Sequence, residues 1–439
     1  MTYLRWLPVL LAWTTVLSGQ GAPPPDTTAL FAELTRRTAA VVGATPVARR
    51  DFLRTALTER DDYLRREIRD SAYLFDGALR PYLEGLFDRI VMTNELDLDP
   101  IVFLDQDYTS NAFSMGQGLF TINLGLLRQL GTEEELLFVF CHEVAHDRLR
   151  HQLSKLRGLA DRQAAVSPTL RKLGRPTLFR SQRRQRNLIQ DLRDHTYAGF
   201  RLQREAELQA DSLALVYFSR LGYPASFAAR ALAAGSRVPV DSSRRDELVE
   251  LLATEAAPLQ EAWLTPPPQL FGGGGFGAGA AEGADDKPAY FWETDSLLTH
   301  PALADRQQRM RGYVTEQLAG DTLQTGHAHG LRDTVDMALL RAHFQGRDYG
   351  LALVAALRLL HQQPDDAALR RLSADALLEV YRAAEAHDFD EAVPPPEFFH
   401  DAASRQVVRV LRQMRQSELK AFTLAYLQYA HPAAYAAQR

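Results

Sequence analysis

Residues 136–146 read Leu-Leu-Phe-Val-Phe-Cys-His-Glu-Val-Ala-His, an apolar run that ends in two histidines four residues apart. Thr132 followed by Glu133-Glu134-Glu135 predicts a helix start with a capping box closed by Glu135, and the helix is expected to run through Leu136 to about Leu156. On such a helix, residues four apart differ by about 40° in azimuth and about 6 Å in rise. The imidazoles of His142 and His146 therefore leave one face and can converge on a single ion, with Glu143 projecting beside it. Zinc suits this set, because imidazole nitrogen and carboxylate oxygen satisfy it tetrahedrally while one position stays open for water. A carboxylate beside that water can take its proton.

A catalytic zinc needs a third protein ligand. Position 149 is leucine and position 152 is glutamine, so the extended three-histidine form of the motif is absent and the ligand is expected to be a carboxylate on another helix. The stretch from Arg204 to Ala214 has helical periodicity, and Glu207 and Asp211 stand four apart on one face. One can bind zinc while the other accepts the free N–H of a ligating histidine. Cys141, the single cysteine, excludes an intramolecular disulfide and a thiolate zinc cluster, and adjoins His142 as a small buried side chain.

Outward from this centre, residues 27–90 carry Leu, Ala, Arg and Glu at helical spacing and predict two or three helices. Ile101–Leu104 and Gly118–Asn123 read as a pair of strands in a small sheet. From Phe271 to Gly283 glycine dominates, which predicts a loop at a domain edge. Residues 331–439 return to helical composition, and Ala338 to Pro364 look like a tetratricopeptide helix pair without a clean second copy.

The chain has 439 residues, 46% of them hydrophobic and 24% charged, and its 50 Lys+Arg against 55 Asp+Glu leave a net charge of −5. That balance describes a globular protein with a sizeable core and argues against a nucleic-acid-coating chain. Residues 171–186 are locally basic, with seven basic and no acidic side chains, a candidate contact with anionic lipid headgroups. At the N-terminus, Arg5, the apolar run Trp6–Leu17 and the small residues up to Ala22 predict a signal peptide over 1–22, and an exported, periplasmic or secreted protein. No cysteine follows the run, so lipidation is not expected. His327 and His329 lie in a glycine-flanked loop, and His195, His343, His361, His387, His400 and His431 have no ligand-like spacing.

His142-Glu143-Val144-Ala145-His146 with His151, then Arg204-x-x-Glu207-x-x-Ala210-Asp211, resembles the gluzincin peptidase family that includes the CAAX prenyl proteases, the mitochondrial overlapping-activity protease and the periplasmic β-barrel assembly-enhancing protease. Asn111-Ala112-Phe113, Gly118 and the run to Leu127 are similar to that family's edge strand, and Thr299-His300-Pro301 with Arg306 resembles its His-Pro segment. The polar, basic stretch 158–199 departs from the membrane-embedded relatives, so the layout is nearest the soluble exported ones. The resemblance covers roughly residues 80 to 312 and implies a zincin-like α+β metallopeptidase domain, assigned to 27–315, predominantly helical with a small sheet, followed by a tetratricopeptide-like region. It implies one zinc per chain on His142, His146 and Glu207, with Asp211 behind a ligand, Glu143 as general base, and His300 and Arg306 assisting the transition state or the surroundings of the metal. Polypeptide substrate is expected beside the Gly118–Asn123 strand, with Asn111, Ala112, Gly118 and Phe120 contributing. A chaperone or assembly scaffold with a structural or silent zinc site is the alternative from another class.

Overall fold

The computed structural model describes residues 27–75, 77–130, 132–161, 203–235, 247–255, 258–264, 305, 306, 308, 328–396 and 402–438. The expected signal peptide, the basic segment 171–186, the glycine-rich loop 271–283, His300 and the side chains of His327 and His329 lie outside them. Among the described residues no helix is long and apolar enough to cross a membrane.

The N-terminal part opens with α1 (Thr28–Gly43), α2 (Val47–Arg69), β1 (Tyr73–Leu74) and α3 (Leu79–Thr93). A compact run follows: β2 (Ile101–Asp105), β3 (Ala112–Gly116), β4 (Leu119–Asn123), α4 (Leu124–Gln129) and α5 (Glu133–Arg148). The sheet order is β1-β2-β4-β3, with β2 and β4 parallel and the outer pairs antiparallel. β4 is therefore internal, and β3 is the edge next to the helix that carries the histidines.

Alternation along the strands divides two cores. Val102, Leu104, Phe120 and Ile122 pack with Leu83, Phe87, Ile90, Phe140 and Val144 of α3 and α5, where the Phe87 ring lies 4.8 Å from Phe120 and 4.7 Å from Phe140. On the other face Phe103, Met115 and Leu119 join Leu34, Leu64 and Ile68 of α1 and α2. The result is helices, sheet, helices, with the motif helix on the inner layer. This corrects two expectations about substrate contact. Phe120 is a fully buried core residue, and the Gly118–Asn123 strand has both edges paired, so no polypeptide can lie beside it.

Gly118 is likewise structural. It and Gln117 form the two-residue β3–β4 turn with φ +73° and +61°, the left-handed backbone such a turn requires. A Cβ at Gly118 would also sit 2.8 Å from Asp99 O. Arg37 pins this turn by donating to Asp99 O and Gln117 O, each at 2.8 Å.

Thr132 caps α5 by accepting from Glu135 N at 3.2 Å. The capping box is only half as expected, because the Glu135 carboxylate turns to Arg230 Nε at 3.1 Å. The helix also ends earlier than its periodicity predicts. Arg150 adopts φ +56°, and a new helix, α6, begins at 151 and is described to 161. The second part of the site comes from α7, helical over 203–220, which is followed by α8 (Ala225–Gly235), α9 (Glu247–Glu250) and α10 (Glu261–Leu264).

Residues 328–438 form α11 (Ala328–Gly346), α12 (Tyr349–Gln362), α13 (Ala367–Glu385), α14 (Phe389–Ala392), α15 (Ala402–Gln413), α16 (Gln416–Ala430) and α17 (Pro432–Ala437). α12 is almost wholly buried among its neighbours, and the main hydrophobic core runs from α3 through α5 into α12, α13 and α16 without a break. An ion pair of 2.8 Å from Arg128 Nε in α4 to the fully buried Asp336 of α11 adds a polar tie between the two parts.

Candidate metal centre

α5 enters the core with Phe138, Phe140, Cys141, Val144 and Ala145 on its buried sides, which leaves His142, Glu143 and His146 to face α7 and the β3 edge. α7 is held against it by Ala210, Ala214 and Phe218, the last meeting Phe138 edge to face at 5.7 Å. This packing sets Glu207 opposite the two imidazoles. His142 Nε2 and His146 Nε2 are 3.0 Å apart, and Glu207 offers one oxygen to each at 3.5 Å. All three donor atoms fall within 4.8 Å of one another. Ligand atoms at the corners of a tetrahedron with arms near 2.0–2.1 Å lie roughly 3.4 Å apart. The spacing and the nitrogen–oxygen donor set therefore fit zinc.

Electrostatics supports the same reading. Burial disfavours the His142 imidazolium, but Asp211 and Glu207 outweigh it and raise the group to about 10. Burial and the neighbouring His142 push His146 down to about 3. A cation held by both nitrogens and the carboxylate would compete with the proton on His142.

Asp211, four residues beyond Glu207, puts Oδ1 3.0 Å from His142 Nδ1. The contact is close but poorly aligned, and Nδ1 has no hydrogen bond of good geometry. Arg306 holds that carboxylate from behind with a two-pronged pair, Nε to Oδ2 at 2.7 Å and Nη2 to Oδ1 at 2.6 Å. Burial works against the charge on Asp211, but Arg306 and His142 keep its carboxyl below the usual range. Arg306 also lies 3.9 Å from Glu207. Its fork thus faces Asp211 and Glu207, in the surroundings of the candidate metal centre, one of the two places expected for it.

Glu143 is almost fully buried, and burial raises its carboxyl to about 7. Its Oε2 accepts from Ser114 N in β3 at 2.8 Å, and one turn later Asp147 Oδ1 accepts from Gly118 N at 2.9 Å. Two carboxylates of one helix thereby clamp the edge strand and its turn. Asn111 and Ala112 lie at the start of that edge, with Asn111 O accepting from Asn123 N at 3.0 Å. Since strand residues alternate, Ala112 and Ser114 direct their main-chain groups away from β4.

Sequence reasoning brought together His142, Glu143, His146, Glu207, Asp211 and Arg306, and the structure places these six side chains in one cluster. It gave no role to Ser114, Asp147, Gln209 or Glu205, and none to His151, whose Nδ1 lies 3.0 Å from His146 Nδ1. Helical spacing signalled Asp147, four residues after Glu143, and the family resemblance included His151 without a role, while nothing in the sequence signalled Ser114, Gln209 or Glu205.

Comparison with known proteins agrees with the site. Residues 78–314 match the profile of Peptidase family M48, a span that contains every residue of the cluster. A Vibrio cholerae serotype O1 (strain ATCC 39315 / El Tor Inaba N16961) protein named "Putative beta-barrel assembly-enhancing protease" is 29% identical over 111 residues, which cover 25% of this chain and 23% of that protein. The similarity thus spans under a quarter of the relative's length. With the family profile covering more than half of the chain and the His142, His146 and Glu207 donors assembled as described, the chain belongs to Peptidase family M48.

Proposed function

We propose that the protein is a zinc-dependent endopeptidase that hydrolyses peptide bonds of unfolded or misassembled polypeptides. The observation that carries this reading is Glu143, buried beside the His142, His146 and Glu207 donors and tied by Ser114 N to a strand edge that extended peptide can extend. His142, His146 and Glu207 hold the ion, one per chain. Zinc, when bound, supplies a Lewis acid that polarises water and the scissile carbonyl. Glu143 takes the proton of the attacking water and passes it to the leaving amine. Asp211, backed by Arg306, orients the His142 ring. His300 is assigned to the developing oxyanion, where a hydrogen-bond donor acts on negative charge as it forms. The edge strand β3, with Asn111 and Ala112, aligns the substrate chiefly through its backbone, which gives little side-chain selectivity.

The finer reading is an exported protein of envelope quality control. Arg5 with the apolar run 6–17, and the name of the Vibrio cholerae relative, support it. In this reading the C-terminal helices, tetratricopeptide-like in their pairing, receive client proteins, and the basic segment 171–186 touches a membrane surface.

The deciding experiment compares cleavage of an unfolded protein by wild type and by Glu143→Gln, with metal analysis of both. Zinc in both and cleavage in wild type alone are expected. Equal cleavage by the two would remove Glu143 as the base, and wild type that holds zinc and cuts nothing would replace the enzyme with a binding scaffold.

A further inference from the structure

We propose that His151 is a positioning residue that fixes which nitrogen of His146 is left free for the metal. The inference rests on the metal centre proposed above. Four side chains stand in a row: Glu205 and Gln209 on α7, His151 at the start of α6, and His146 on α5. Gln209 Nε2 donates to Glu205 Oε1 at 3.3 Å, Gln209 Oε1 lies 3.3 Å from His151 Nε2, and His151 Nδ1 lies 3.0 Å from His146 Nδ1.

The direction of each hydrogen bond follows from the outer end of the row. A carboxylate oxygen can only accept, so Glu205 draws the amide N–H of Gln209 and turns the amide oxygen toward His151. That oxygen can only accept as well, so the His151 proton sits on Nε2 and its Nδ1 carries a lone pair. The lone pair requires His146 to donate from Nδ1. The remaining nitrogen of His146, Nε2, is then a pure acceptor, and it is the atom 3.0 Å from His142 Nε2 and 3.5 Å from Glu207 Oε1. The opposite sense would put a proton on Nε2, in the space the ion needs.

The backbone shows how His151 reaches this place. A straight continuation of α5 would set residue 151 about 140° around the axis from residue 146. The left-handed Arg150, at φ +56°, ends the helix and returns the chain so that the two rings meet edge to face with centroids 4.9 Å apart. Glu205 and Gln209 are exposed, and water can substitute for them, so the strongest effect belongs to His151 itself.

The test uses the full-length protein and zinc. Ring ¹⁵N spectra of the zinc-loaded wild type should show His146 bound through Nε2 with its proton on Nδ1, and coordination through Nδ1 would overturn the proposal without any variant. Zinc affinity is then measured by chelator competition, with the melting temperature of the metal-free protein alongside. His151→Phe keeps a ring but no acceptor, and His151→Lys offers only donors. Both should bind zinc roughly 10 to 100-fold more weakly with the metal-free melting temperature little changed. His151→Gln, which restores an acceptor, should recover most of the affinity. Wild-type affinity in His151→Phe, or equal loss in Gln and Lys variants, would overturn the relay alone. Failure of wild type to bind zinc would overturn the metal centre and the relay with it.

Discussion

Glu143 Oε2 accepts a hydrogen bond from the backbone N–H of Ser114 at 2.8 Å, across 29 residues of sequence. The bond joins the proposed general base to the sheet edge, so the strand that would align a substrate and the group that would move its protons share one rigid contact. A carboxylate has a second oxygen, and Oε1 stays available for the proton transfer that Oε2 does not perform.

Glu143→Gln should separate binding from chemistry. The amide oxygen of the glutamine still accepts from Ser114 N, so the fold and zinc content are expected to survive while peptide cleavage falls by about 10²–10⁴-fold. Peptide turnover and metal content measured on the same preparation check this, and loss of zinc would show that the variant disturbs the ligands.

Asp211→Ala removes the carboxylate facing His142 and also strips Arg306, which is only 16% exposed, of its two-pronged pair, leaving only Glu207 at 3.9 Å. Zinc affinity should drop roughly 10 to 100-fold. Stability should fall too, by about 3–5 kcal/mol, because a buried guanidinium loses its partner. Denaturant unfolding of the metal-free protein separates the two effects. A surface ion pair would move neither quantity.

Metal binding should release a proton. His142, at about 10 in the metal-free site, is protonated at neutral pH, and the ion can bind only after that proton leaves. Zinc affinity is therefore expected to rise with pH up to about 10 and to weaken as pH falls. Calorimetry in buffers of different ionisation heat counts the protons, and a count of zero contradicts the assignment. On the rate side, Glu143 must be ionised to act as a base. Its value near 7 without metal is lowered by a nearby cation, so kcat/KM should decline as pH drops, with the midpoint below 7.

Asp147→Ala should loosen the edge strand without touching a ligand. It leaves Gly118 N without its acceptor, at a cost of about 1–3 kcal/mol. KM for an extended peptide should rise more than kcat falls. Steady-state kinetics with unchanged zinc content checks this, and a pure kcat effect would place Asp147 elsewhere in the mechanism.

Gly125→Ala tests the fold alone. A Cβ there would lie 1.9 Å from Tyr108 O, so the loop leading to β3 or the start of α4 must move. The expected loss is at least about 1–3 kcal/mol, read as a lower melting temperature. Wild-type stability would mean that the close approach is relaxed in solution.

Much of the site was legible because it is local. His142, Glu143 and His146 need only the 3.6-residue turn to share a face, and Glu207 and Asp211 need only the same turn on a second helix, so the donor chemistry and its helical setting follow from local spacing alone. The strands 101–105 and 119–123 were legible from their β-branched and aromatic content. Their place in the sheet was not, because pairing is a contact between distant segments. The fold made β4 internal and β3 the edge, which closes Gly118–Asn123 to a substrate, leaves Ala112–Gly116 as the proposed face, and buries Phe120. It likewise set Glu207 opposite the imidazoles and Asp211 behind one of them with Arg306. The end of α5 shows the reason most plainly. Periodicity carries the helix on to Leu156, yet one left-handed residue at Arg150 stops it after Arg148 and turns His151 back onto His146. Local propensity sets which helices can form, but which side chains then meet, such as His151 and Gln209 of α7, depends on tertiary contacts that no window of sequence contains.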